Sequence, residues 1–86
     1  MRVVTETIDG EGMEAFLGQP VTLWCMNYIY TGTLVGLNET CVKLSDAHIV
    51  FETGAFDEAG WKDAQQLPGD CHYVQLAAIE SFGGVK

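Results

Sequence analysis

Residues 28–52 are the part of the sequence that most restricts the fold. The run contains no proline, and apolar or β-branched side chains recur at nearly every second position. Because alternate side chains of a strand point to opposite faces, one face would begin with Tyr28 and the other with Ile29. Both faces carry large side chains and should therefore contact other atoms. This pattern predicts a small closed barrel, or a sheet whose second face is covered by another copy of the chain.

The chain is short and rich in apolar residues. It has 86 residues, of which 48% are hydrophobic and 19% are charged, which predicts a single domain over residues 1–86. A chain of this size buries only about 60–65% of its unfolded surface on folding. A monomer would therefore be marginally stable, and we expect a homo-oligomer.

The charge balance is strongly acidic. Twelve acidic residues stand against four basic ones, which gives a formal net charge of −8. A surface of this charge repels phosphate groups instead of releasing their counterions. Strong non-specific binding of nucleic acid is therefore not expected.

The sequence shows no sign of export or of a membrane span. The segment MRVVTETIDGEG has one basic residue and no apolar core, unlike a secretory signal. No apolar run approaches the roughly 20 residues that a spanning helix needs. We expect a soluble, cytoplasmic protein with no membrane partner.

The cysteines do not form a recognisable framework. Cys25, Cys41 and Cys71 are odd in number, widely spaced and set in apolar runs, so we interpret them as reduced thiols that pack as small hydrophobic groups. Cys71 beside His72 is too sparse for a zinc site. No nucleophile and base, phosphate loop or metal cluster is apparent, so we expect no cofactor and no enzymatic activity.

The segment before the strands predicts a short helix at 13–18. An acidic first turn is followed by an apolar cluster, and then by Gly18 and Pro20. A glycine that caps a helix and a proline that cannot continue it are typical of a helix end.

The rest of the chain alternates as strands do. We predict a four-strand meander over 21–52, with its last turn at 45–47. Residues 53–70 are rich in glycine and carry charges of both signs, which predicts a long loop or a protruding hairpin. The last strand is predicted at 71–82, with a tight bend at 77–78.

Two glycines explain how such a sheet would curve. Gly32 and Gly36 lie on one face of the longest predicted strand, where a missing side chain permits a sharp bend. The predicted fold is therefore mainly β, with an N-terminal short helix followed by a five-stranded, strongly bent antiparallel sheet that closes into a small barrel.

The order of several motifs resembles a known family. A helix ends in AFLGQP, a first strand and turn read PVTLWCMN, and Gly32-x-Leu34 lies in the second strand. Asn38 follows that glycine by six residues, where the family usually has aspartate, and Leu44 closes the third strand. This order resembles the Sm-like (Sm/LSm) family, and its spacing is closest to the bacterial branch, Hfq. The match covers about residues 13–52 and the last strand.

The resemblance implies a fold and a function. The family has a bent five-stranded Sm-like (SH3-like) barrel capped by a helix, and its members assemble edge to edge into homo-oligomeric rings. They bind single-stranded RNA, usually rich in uracil or adenine. A cyclic head-to-tail arrangement would also pair edge strands that would otherwise be exposed. We therefore expect a ring that binds single-stranded nucleic acid, RNA rather than DNA, in RNA or DNA processing without catalysis.

Some family pocket residues differ in this chain. Gln75 and Leu76 stand where the eukaryotic proteins have an arginine-glycine pair, and Leu76 and Ala77 where the bacterial branch has lysine and histidine. Glu39 and Thr40 replace a glutamine and an aromatic residue that stacks on a base. These differences leave open a second interpretation, a protein-interaction or structural ring module that has lost RNA binding.

Seven residues are candidates for contacting nucleic acid. They are Trp24, Tyr28, Tyr30, Asn38, Thr40, Lys43 and Gln75. Trp24 lies where the bacterial proteins carry a strand tyrosine that stacks on purines, and the two tyrosines would extend that platform. The alternative is that Trp24 fills the barrel or a subunit interface.

The polar candidates also have alternatives. Lys43 would contact a phosphate, or would be an ordinary solvated side chain. The amide of Asn38 would contact a base edge, or would hydrogen-bond its own turn.

Two aromatic residues are candidates for contacting a protein partner. Phe56 and Trp61 lie among carboxylates in the segment 53–70. Exposed aromatic side chains with a charged rim are typical of interaction anchors.

Overall fold

The computed structural model describes residues 12–85, which form one antiparallel sheet of six strands. The prediction of a mainly β fold is confirmed. The strands are β1 (Pro20–Cys25), β2 (Ile29–Leu37), β3 (Cys41–Glu52), β4 (Asp63–Gln66), β5 (Cys71–Gln75) and β6 (Ile79–Gly83). Two short 3-10 helices complete the described part, at Gly12–Phe16 and Leu76–Ala78. None of the described helices is long and apolar enough to cross a bilayer.

The long strand β3 organises the sheet. The strand order is β4-β3-β2-β1-β6, and β5 also pairs with β3. The first part of β3, from Cys41 to Ser45, pairs with β5, and the second part, from His48 to Glu52, pairs with β4. β3 therefore holds both β4 and β5 in the sheet.

A bulge bends β3 in the middle. The pairing of β2 with β3 passes from Thr31↔His48 to Thr33↔Ser45, so two residues of β3 lie opposite Gly32. Asp46, one of the two, has φ 50, a conformation that aspartate tolerates better than most residues. The predicted turn at 45–47 is therefore wrong, and 21–52 holds three strands instead of four. A bulge redirects the chain without ending the pairing.

The sheet curls around a core. Val21 and Leu23 of β1 belong to the same buried cluster as Val74 of β5, although β2 and β3 separate these strands in the sheet. Only a curved sheet brings the three side chains together. The remaining fully buried members are Leu34, Val42 and Leu44.

The curled sheet does not close into a barrel, so that part of the predicted fold is wrong. Among residues 12–85, β5 pairs only with β3, and β6 pairs only with β1. The physical reason lies between them. The 3-10 helix Leu76–Ala78 turns the chain away from β5, so the predicted last strand 71–82 is two strands that belong to different edges.

The N-terminal short helix predicted at 13–18 is also wrong, because the described chain has only a five-residue 3-10 helix at Gly12–Phe16. The amide of Gly18 donates to Leu34 O at 2.7 Å, and Leu34 N donates to Gln19 O at 3.0 Å. These bonds to β2 compete with a longer helix. Gly18 has φ 83, which is the left-handed conformation expected of a glycine after a helix.

The segment 53–70 contains β4 and is therefore a hairpin with β3. Its loop, residues 53–62, places Phe56 and Trp61 against Trp24 of β1, with ring centroids 5.9 and 6.1 Å from the Trp24 ring. Neighbouring side chains of a strand point to opposite faces, so Trp24 lies on the face opposite to that of the core residues Val21 and Leu23. The loop thus covers part of the second apolar face.

Candidate nucleic-acid interface

The seven candidate residues fall into three places. Asn38, Thr40 and Gln75 lie at the end of the sheet where β2 turns into β3, and Lys43 is close by on β3. Tyr28 and Tyr30 lie together beside β5. Trp24 belongs to the separate aromatic cluster with Phe56 and Trp61.

Asn38 builds the turn between β2 and β3. Its side-chain Oδ1 accepts hydrogen bonds from Thr40 N at 2.8 Å, Cys41 N at 2.9 Å and the Thr40 hydroxyl at 3.1 Å. An asparagine that satisfies the amides two and three residues later is typical of a tight turn. The side-chain oxygen of Asn38 therefore stabilises the turn, and its two hydrogen bonds with Thr40 hold that residue in place.

The turn meets the end of β5. Leu76 N donates to Thr40 O at 2.9 Å, and Cys41 is paired with Gln75 across the two strands. Together they enclose an open pocket of about 630 Å³, named here the turn pocket. Its lining residues are Glu39, Thr40, Cys41, Tyr73, Gln75, Leu76 and Ala77.

Tyr73 is a pocket residue that the sequence analysis missed. It faces out from β5 with 61% of its surface exposed, and the Lys43 ammonium lies 5.9 Å from the centre of its ring. The two residues are register partners. Strand alternation was a sufficient signal, because Tyr73 shares its face with Gln75, which is two residues later.

The second tyrosine group adjoins the turn pocket. The ring of Tyr30 stacks on His72 of β5 at 5.5 Å and 30°, and Tyr28 lies 6.3 Å from Tyr30. A smaller pocket of about 160 Å³ lies here, and it shares Tyr73 and Gln75 with the turn pocket. The two pockets therefore lie next to each other at the end of β5, and both are lined by polar and aromatic side chains.

Two protonatable groups near this surface are neutral at pH 7. Burial raises the pKa of the Tyr30 phenol, with smaller contributions from Cys25 and Tyr28. Burial also raises the pKa of the Cys25 thiol. A protonated thiol is a weak nucleophile, and its Sγ–H donates to Leu23 O at 3.8 Å. Cys25, Cys41 and Cys71 are all free and half-buried.

Positive charge is scarce on the described surface. Lys62 pairs with Glu52 at 3.4 Å, and Lys43, the other lysine among residues 12–85, lies 5.9 Å from the Tyr73 ring that lines the turn pocket. Glu39 adds a carboxylate to the same pocket. No cluster of His, Cys, Asp or Glu in this range is arranged to hold a metal ion. The turn pocket is therefore suited to an aromatic, hydrogen-bonding ligand more than to a phosphate chain.

Comparison with protein-family models, curated proteins and solved structures gives no match to this chain. The similarity to the Sm-like family therefore depends on the motifs and spacing alone.

Proposed function

We propose that this protein is an Sm-like, ring-forming module that binds single-stranded nucleic acid, RNA in preference to DNA, at the turn pocket and without catalysis. One observation supports the proposal most. The Thr40–Leu76 hydrogen bond joins the β2–β3 turn to the end of β5, so that Thr40 and Gln75 line one pocket with an exposed tyrosine.

The pocket offers the groups that hold an unpaired base. The exposed ring of Tyr73 is a stacking platform, and base–aromatic stacking contributes about 1–3 kcal/mol per base. The Thr40 hydroxyl donates its proton to Asn38, and its oxygen can still accept a hydrogen bond from the polar edge of a stacked base. The amide of Gln75 can both donate to that edge and accept from it.

Glu39 gives the pocket a preference among bases. A carboxylate accepts hydrogen bonds from exocyclic amines, as it does from cytosine N4. Adenine, cytosine and guanine carry such an amine. Uracil has one N3–H donor, and the carbonyl oxygens on both sides of it are repelled by a carboxylate. We therefore expect oligo-A to bind more tightly than oligo-U.

The phosphates contribute little to binding. With Lys43 as the one lysine beside the turn pocket among residues 12–85, about one phosphate would be neutralised per subunit, which corresponds to a salt slope of about −0.7 for a single strand. Such a shallow slope fits a protein of net charge −8.

Free strand edges support ring assembly. The edge of β5 away from β3 and the edge of β6 away from β1 carry no strand partner among residues 12–85. Pairing β5 of one copy with β6 of the next would satisfy these backbone groups, and a head-to-tail contact of this kind closes into a ring.

Replacing Tyr73 with alanine tests the proposal. The variant should bind fluorescent oligo-A about 5- to 150-fold more weakly than the unchanged protein, which is the equivalent of losing one stacked base. Fluorescence anisotropy with oligo-A and oligo-U measures both the loss and the base preference. Phe51→Ala is the matched control, because Phe51 is 53% exposed and does not line the turn pocket.

Two outcomes would contradict the proposal. Equal losses in the two variants would remove the turn pocket as the binding site. Absence of oligonucleotide binding by a protein that still assembles into rings, judged by its mass in solution, would favour the structural ring module instead.

A further inference from the structure

The loop between β3 and β4 presents an anchored aromatic side chain. We name residues 52–63 the acidic loop, because its sequence contains Glu52, Asp57, Glu58 and Asp63 on the two sides of Phe56. Phe56 has 68% of its surface exposed, although its ring lies 5.9 Å from the Trp24 ring in an edge-to-face arrangement. Most of the surface of Phe56 is therefore in contact with solvent.

The position of Phe56 is fixed before any partner binds. Trp24 is part of β1, which pairs with β2 and β6, and its ring lies 5.9 Å from the Phe56 ring and 6.1 Å from the Trp61 ring. Glu58 N donates to Ala55 O at 3.1 Å and closes a turn around Phe56. A side chain held in this way loses little conformational entropy on binding, which favours its use as an anchor.

The charged side chains of the acidic loop are mostly acidic. The acidic loop carries four carboxylates and one ammonium, Lys62, and that ammonium is paired with Glu52 at 3.4 Å. Asp57 and Glu58, next to Phe56, are exposed. The surface therefore attracts cationic groups and repels phosphates.

We propose that the acidic loop is a docking site for an arginine-rich segment of a partner protein. A guanidinium stacks on an aromatic face and forms forked hydrogen bonds with carboxylates, and Phe56 with Asp57 and Glu58 supplies both. Lysine would bind more weakly, because an ammonium is a point charge without the planar fork. The site is separate from the turn pocket and does not depend on the function proposed there.

A titration of the full chain with a fluorescent peptide of alternating arginine and glycine tests the proposal. Phe56→Ala should weaken binding about tenfold, and Phe56→Tyr should restore it, because the ring is what the guanidinium contacts. The pair Asp57→Asn and Glu58→Gln should weaken binding by a similar factor. The pair Asp70→Asn and Glu80→Gln removes the same charge outside the acidic loop. At about 0.1 M ionic strength it should change binding less than about twofold, because exposed charges beyond about 10 Å are screened there.

Other outcomes would overturn the proposal. Equal weakening by the two charge-removing pairs would show that only the net charge matters. Absence of peptide binding at low salt, or equal binding of the lysine version of the peptide, would contradict the assigned chemistry. Loss of oligonucleotide binding, or of self-association, in Phe56→Ala with peptide binding unchanged would assign the loop to nucleic acid or to a second copy. A thermal melt equal to that of the unchanged protein keeps loss of folding apart from these results.

Discussion

Gly32→Ala should lower the free energy of unfolding by about 2–3 kcal/mol, because overpacking where the backbone cannot yield costs roughly this much. A Cβ at position 32 would lie 2.9 Å from Ser45 O and 3.2 Å from Ala47 Cα. Both atoms belong to the backbone of β3 at its bulge, so the strand itself would have to move. Urea denaturation followed by circular dichroism measures the effect.

Gly36→Ala is the matched control for this substitution. A Cβ at position 36 would meet Lys43 Cβ at 3.2 Å and Lys43 Cδ at 3.6 Å. The second contact is an ordinary van der Waals contact, and a shift of a few tenths of an ångström relieves the first. Alanine also reduces the entropy of the unfolded chain, which stabilises by about 0.4–1 kcal/mol, so the net change should be under about 1 kcal/mol. Equal destabilisation by the two substitutions would mean that β3 does not pass close to Gly32.

Trp24→Ala should lower the free energy of unfolding by about 2–3 kcal/mol, which is below the range for a fully buried tryptophan because Trp24 is half-buried. The substitution removes the ring that Phe56 and Trp61 contact. The fluorescence of Trp61 should shift to longer wavelength in the folded variant, as its surroundings become more polar. Urea denaturation and the emission spectrum provide the two measurements.

The same variant separates the two roles considered for Trp24. If the residue packs against the acidic loop, Trp24→Phe should recover most of the stability, and oligo-A affinity should stay within about twofold for both variants under conditions where they are folded. Unchanged stability of Trp24→Ala together with loss of oligo-A binding would identify Trp24 as a base-stacking residue instead.

The sequence predicts which residues form strands better than it predicts where the chain turns between them. Alternation identifies the strands because one face must be buried, and the face of Val21 and Leu23 is indeed fully buried. Residues 45–47, in contrast, are of types that favour a turn, but in the structure Asp46 is part of a bulge within β3. The difference depends on whether β4 and β5 are present to pair with both parts of β3, which is long-range information.

The candidate site shows the same division. The turn at Asn38 is a local feature, and its side-chain hydrogen bonds follow from the residue type. The meeting of Thr40 with Leu76 follows only from the pairing of β3 with β5. The contact of Trp24 with the acidic loop was not predictable, because a loop without periodicity gives no indication of where it packs.

The turn pocket as the nucleic-acid site is tested most directly by a ¹⁵N-labelled sample of the full chain titrated with oligo-A and followed by amide chemical shifts. The largest changes should fall on Thr40, Cys41, Tyr73 and Gln75, with the acidic loop unaffected. Changes confined to residues 52–63, or no changes at oligonucleotide concentrations well above that of the protein, would contradict binding at the turn pocket.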